Sequence, residues 1–137
     1  MYRTTITPRL GETDGLRHVN HARVVEWFET ARNPIFRLFD PALDFTSFDL
    51  IMARLEVDFL RPMVWGQEVE VRTWVVHLGN SSFTVGHHAV QEGRICARGQ
   101  FVIVHYDFRA NRSKPLRDDQ RAALAEHLIS QEEFAAG

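Results

Sequence analysis

The hydrophobic period changes once along this chain, and that single change limits the folds open to it. Val24, Trp27, Phe28, Ala31, Ile35 and Leu38 recur at helical spacing and give one apolar face. From Ile51 onward the period is two. Leu55, Val57 and Phe59 alternate with Glu56 and Asp58 as far as Arg61-Pro62, and Val69, Val71, Thr73 and Val75 share a face opposite Glu68, Glu70 and Arg72. Gly79-Asn80-Ser81 turns the chain into a strand from Ser82 to Val90. Glu92-Gly93 makes a second tight hairpin before a long strand from Ile95 to about Phe108.

The flanks complete the pattern. Tyr2 to Arg9 reads as a short strand closed by Pro8. Asn20 is placed to cap the apolar helix, and Pro34, which cannot donate back towards Thr30, predicts a kink or a break. Asn111 to Pro115 is expected to be a loop. Asp118 is expected to cap a final short helix carrying Leu124, Leu128 and Ile129 on one side. A strand, an apolar helix, four antiparallel strands and a short helix make a two-layer α+β fold, with one long central helix wrapped by a five-stranded antiparallel sheet. At 137 residues there is room for one domain, 1–137.

Composition narrows the function. Hydrophobic residues at 45% and charged residues at 25% are ordinary for a globular chain, which excludes a disordered tail, a collagen-like repeat and a membrane bundle. Sixteen Lys and Arg against 18 Asp and Glu leave a net charge of −2, without the basic excess of a nucleic-acid binder, so a small molecule is the expected partner. The lone Cys96 reads as a small apolar strand residue; it excludes an internal disulfide and points to a reducing compartment. No stretch resembles a signal peptide, and no apolar run reaches the roughly 20 residues of a spanning helix. The cytoplasm is the expected location.

The chemistry concentrates between the first strand and the apolar helix, where Glu12, Asp14, His18, Asn20 and His21 fall within ten residues. A loop entering a helix N-terminus presents unpaired N–H groups and the positive end of the dipole, which polarise a carbonyl and hold an oxyanion. A carboxylate folded back over that spot serves as general base or nucleophile, and Asp14 is in place for it. Taken alone, the loop is a site with no reaction attached.

The run Gly11-Glu12-Thr13-Asp14, then His18-Val19-Asn20-His21-Ala22-Arg23, then Glu26-Trp27-Phe28-Glu29-Thr30-Ala31-Arg32 closely resembles the hot-dog-fold thioesterases of the 4-hydroxybenzoyl-CoA thioesterase type. Arg54 to Pro62, Leu78 to Phe83 and Ala97-Arg98-Gly99 match as well, so the resemblance spans about Tyr2 to Leu128. It implies an acyl-CoA thioesterase that releases a carboxylic acid and coenzyme A, with Asp14 as catalytic carboxylate and the backbone at His21 as oxyanion donor. His18 takes a site-shaping role, Asn20 joins capping to a substrate contact, and Ser82 lies near the thiol arm. The substrate brings the coenzyme, so no cofactor is implied. The family pairs its sheets across a two-fold axis, which implies a homodimer or homotetramer. Two departures stand out: Arg17 where many members have Gly before the His, and Val24 where many carry an aromatic residue.

Two rival readings share the fold: a hydratase or dehydratase acting on an enoyl-CoA, and an acyl-CoA binder without turnover. Asp14, His18 and His21 have spacings that would converge on zinc, but the helical His motif of metalloproteases is missing, and His87-His88 on a strand point to opposite faces, so no metal is expected. No Gly-x-Ser-x-Gly elbow and no dinucleotide or Walker fingerprint is present.

Overall fold

A computed structural model describes the whole chain, Met1–Gly137. Strand β1 (Tyr2–Ile6) leads through a 3-10 turn at Leu10–Glu12 into helix α1 (His21–Ala31) and the single turn of α2 (Asn33–Phe36). Strands β2 (Leu50–Phe59), β3 (Val69–Leu78), β4 (Ser82–Gln91) and β5 (Arg94–Asp107) follow. A two-residue strand, β6 (Arg112–Ser113), and helices α3 (Asp118–Ala125) and α4 (Gln131–Ala136) close the chain. The sheet is antiparallel in the order β1-β3-β4-β5-β2, with β6 attached to β5.

The sheet curls around α1 because one helical stripe and one face of each inner strand are apolar. Val24, Trp27, Phe28 and Ala31 on α1 pack with Val69, Val71, Ala89, Ala97 and Phe101. Val69, Val71, Thr73 and Val75 are all fully buried, as the period-two pattern predicts. Phe28 is the keystone: its ring stacks on His87 at 4.9 Å and meets Phe101 edge-on at 5.9 Å. Gly99 lies beneath it, where a Cβ would come within 2.9 Å of the ring, so only glycine lets the helix sit this close to β5.

Several expectations are corrected. The central helix is 11 residues long and stops at Arg32, two residues before Pro34. Proline occupies the first turn of α2, where its missing N–H is not needed, so the chain restarts a helix around it. The sheet has a sixth strand, because Arg112 and Ser113 of the predicted loop pair with Asp107 and Tyr106. Arg117 caps α3, with Asp118 at its first position. That helix ends at Ala125, so Leu128 and Ile129 are not on it; Ile129 N–H donates instead to Val75 O at 2.9 Å. A further helix, α4, drops Phe134 onto the outer face of β4 over Gly86, whose position a Cβ could not share with that ring (2.6 Å).

His87 and His88 do point to opposite faces. His87 Nδ1 pairs with Thr73 Oγ1 at 2.8 Å, while His88 Nε2 donates to Phe134 O at 2.9 Å. Burial holds both rings neutral, His88 at about 4 and His87 well below the usual histidine value. The unfolded chain binds protons below about pH 6.5 that these rings refuse, so folding stability rises with pH through that window and is lost as pH falls below it. The loss reaches up to about 1.4 kcal/mol per pH unit for each ring. Denaturant midpoints are expected to drop between pH 7 and pH 5, less steeply in His88→Gln; equal midpoints would contradict the account.

Candidate active site

The polar loop is shaped by its own backbone before any side chain acts. Asp14 N–H donates to His18 O at 2.9 Å and Arg17 N–H to Asp14 O at 3.0 Å, while Thr13 and Val19 bridge antiparallel. Arg17 sits at φ +60°, a left-handed conformation that favours glycine, which is the physical content of that departure from the family pattern. Two more bonds, Val19 N–H to Met63 O at 2.8 Å and Trp65 N–H to Arg17 O at 3.2 Å, tie the loop to the segment after β2. Asp14 Oδ1 accepts from Leu16 N–H at 3.1 Å, and the residue stays exposed to solvent.

Glu12 is the brace beneath this loop. Its Oε2 accepts the Trp27 indole N–H at 2.9 Å and its Oε1 the Arg9 N–H at 2.8 Å, and its carbonyl takes Asn20 N–H at 2.8 Å. The side chain is buried, and the hydrogen bonds and Arg9 outweigh that burial to hold its carboxyl below the usual range. Sequence reading placed Glu12 among the chemical candidates without a role. The signal it missed is the indole on the helix 15 residues downstream.

Asn20 caps α1 as expected, its Oδ1 accepting Ala22 N–H at 2.9 Å. Arg23 N–H turns back to Asn20 O at 3.0 Å, and no protein group accepts the His21 N–H. His21 and Asp14 line one cavity of about 280 Å³, with Val19, Val24, Phe59 and Met63 among its other walls. The His21 ring stands edge-on to Phe59 at 5.9 Å, along the wall of this cavity. The structure therefore gathers Asp14, His21 and, through the cap, Asn20. His18 braces through its backbone, which bridges Val64, and its ring makes no hydrogen bond. Ser82 is elsewhere: it aligns with Val104 and, through it, with Ile51 at the opposite end of the sheet. No three His, Cys, Asp or Glu side chains are grouped to hold a metal ion, and no helix is long and apolar enough to cross a membrane.

A second cavity, of about 640 Å³, adjoins the first and shares Leu60 and Arg61 with it. Arg61, Arg94 and Arg98 line it, and Arg61 is fixed by donation to Ile95 O at 2.8 Å.

Comparison with known proteins fits this geometry. Residues 8–124 match the model of the thioesterase-like superfamily. The chain is 41% identical to a predicted thioesterase of Bacillus stearothermophilus, covering 94% of this chain and 97% of that one, with a TM-score of 0.91. It is 32% identical to a thioesterase of Thermus thermophilus solved with coenzyme A and zinc, covering 90% and 92%, with a TM-score of 0.80. An uncharacterised Bacillus subtilis protein, YsmA, is 22% identical over 120 residues, 87% of this chain and 82% of that one.

Proposed function

The chain belongs to the thioesterase-like superfamily, a family of thioester hydrolases with the hot-dog fold, and from that premise we propose that it hydrolyses acyl-CoA thioesters in the cavity shared by Asp14 and His21. The observation that carries this reading is that exposed Asp14 and His21, the first residue of α1, whose N–H no protein group accepts, line the same cavity. The thioester carbonyl oxygen takes the His21 N–H, where the helix dipole adds to the stabilisation of the oxyanion. Asp14 removes a proton from water as the water oxygen attacks the carbonyl carbon; collapse of the tetrahedral adduct then breaks the C–S bond and the thiolate leaves. Attack by Asp14 itself, through a mixed anhydride that water opens, uses the same carboxylate and the same donor.

The arginine-lined cavity next door suits the phosphates of coenzyme A, since guanidinium groups pair with phosphate oxygens through two parallel hydrogen bonds. The Thermus thermophilus relative, solved with coenzyme A, supports this class of substrate.

The working form in this proposal is a dimer or a dimer of dimers. β2 is an edge strand, and Ile51, Met52, Leu55, Phe59 and Leu60 along or just beyond it are 39–49% exposed, a row of apolar side chains that a second copy would cover. Antiparallel pairing of two β2 edges brings the Ile51 end of one copy, in line with its Ser82, towards the Phe59 end of the other. Ser82 then contributes as a contact from the second copy. Light scattering at micromolar concentration is expected to give at least twice the mass of one chain; a monomer would contradict the pairing.

The test of function is thiol release from a panel of aromatic, short and long acyl-CoAs. At least one is expected to be cleaved, with a lower KM than its N-acetylcysteamine thioester, which lacks the nucleotide phosphates. Tight binding without thiol release would select the non-catalytic binder, and water addition to an enoyl-CoA without release would select the hydratase.

A further inference from the structure

Arg32, at the C-cap of α1, is buried to 3% exposure and has no acidic partner. One face of its guanidinium lies over Phe101, with Cζ 4.1 Å from the ring centroid. Its Nη1 reaches only His87 Nε2, at 3.4 Å. That ring is neutral, so the contact supplies no counter-charge. Nε is buried without any partner, and Nη2, which donates to no protein group, is not sealed from solvent. Burial lowers the guanidinium to about 10, partly offset by the charge of Glu29, so it remains a cation at neutral pH. A buried cation with no carboxylate in contact is an unfavourable arrangement unless something else brings an anion to it.

Arg32 also lines a cavity of about 300 Å³ that is separate from both cavities described above. Its other walls are mostly apolar, with Phe36, Phe45, Phe48, Met52 and Ile103 among them. Phe45 stands at the rim, 62% exposed at φ +63°, and its N–H is held by Asp40 Oδ2 at 2.9 Å. The one carboxylate in the lining, Glu29, is exposed and makes no ion pair with Arg32. Nη2, the guanidinium donor left open to solvent, is the one from which a carboxylate would accept a charge-assisted hydrogen bond.

We propose that this cavity receives a carboxylate at the far end of an acyl group, held by Nη2 and the charge of Arg32, with the hydrocarbon against Phe36, Phe45 and Phe48. The preferred substrate is then a thioester of a dicarboxylic acid. This substrate class rests on the thioesterase reading, whereas the carboxylate site does not. His21 and Arg32 lie at opposite ends of α1, roughly 16 Å apart at 1.5 Å per residue, and an extended twelve-carbon chain is about long enough to join them.

Calorimetry with octanoate and octanamide tests the site without any turnover. Octanoate is expected to bind about tenfold or more tightly, the scale of hydrogen bonds to a charged group. The preference is expected to vanish in Arg32→Met and to survive in part in Arg32→Lys. Equal binding of the two probes, or a preference that persists in Arg32→Met, would overturn the proposal. If Arg32→Met does not fold, the Arg32 Nε–H proton resonance of the wild type decides: it shifts with octanoate and not with octanamide, or the proposal fails. Kinetics then test the substrate class. The kcat/KM for dodecanedioyl-CoA is expected to exceed that for dodecanoyl-CoA by about tenfold, and Arg32→Lys is expected to retain part of that ratio. A purely structural arginine would lower both rates and leave the ratio near one, which would overturn the assignment. Arg32-dependent octanoate binding with neither thioester cleaved would uphold the site and reject the dicarboxylic substrate class, while silence across the whole acyl-CoA panel would reject the hydrolase reading.

Discussion

Asp14→Asn is expected to lower kcat by about 10²–10⁴, the usual worth of a positioned general base, while KM changes little. The amide keeps the shape of the side chain, and its oxygen still accepts from Leu16 N–H, so the turn bounded by the Thr13–Val19 bridge persists. Stability should stay within about 1 kcal/mol of wild type, as for most exposed loop substitutions. What the amide lacks is the capacity to take a proton or to form an anhydride. In the proposed mechanism other groups hold the acyl-CoA, so the loss falls on the chemical step, the mark of an interaction made mainly in the transition state. His18→Asn should cost less, since His18 contributes to the loop through its backbone. Steady-state rates with any cleaved acyl-CoA decide this. Near-normal kcat in Asp14→Asn, or a larger loss in His18→Asn, would reject the mechanism.

Phe28→Ala is expected to be the most damaging single change to the fold, at about 3–5 kcal/mol, a large share of the roughly 5–15 kcal/mol that holds a typical domain together. The ring is fully buried, stacks on His87, meets Phe101 and rests over Gly99. Two of those neighbours cannot collapse into the void: His87 is tied to Thr73, and residue 99 has no side chain to move. Urea midpoints would measure it. A loss below about 1 kcal/mol would show that α1 is not the element around which the sheet is packed.

What the sequence disclosed follows from which forces are local. The period of α1 and the alternation of β3 were legible because each encodes one buried face, and the cap at Asn20 because a cap acts within three residues. The break at Arg32 was displaced from Pro34 because proline suits the first turn of a new helix as well as it ends an old one. β2 reads from its alternation as half-buried, yet most of it is exposed, since its place at the sheet edge is set by the order of the strands. Leu128 and Ile129 have helical spacing but are drawn into backbone pairing with β3.

The site divides in the same way. Asp14, Asn20 and His21 lie within eight residues, so their convergence could be read from the chain. Glu12 and Arg32 could not, because the partners that define them, Trp27 for one and Phe101 with His87 for the other, are brought in by the tertiary fold. Ser82 was assigned from a resemblance that describes paired chains, and within one chain it lies far from Asp14.

The central claim is that the substrate carbonyl is held by the His21 N–H beside Asp14. It is tested most directly by titrating the protein with a ketone analogue of an acyl-CoA, in which a methylene replaces the sulfur, while the backbone amides are followed by NMR. The His21 amide proton is expected to move downfield on saturation as it donates to the ketone oxygen, with the other large shifts at Asp14 and along Phe59–Met63. Saturable binding that leaves the His21 amide unmoved would contradict it.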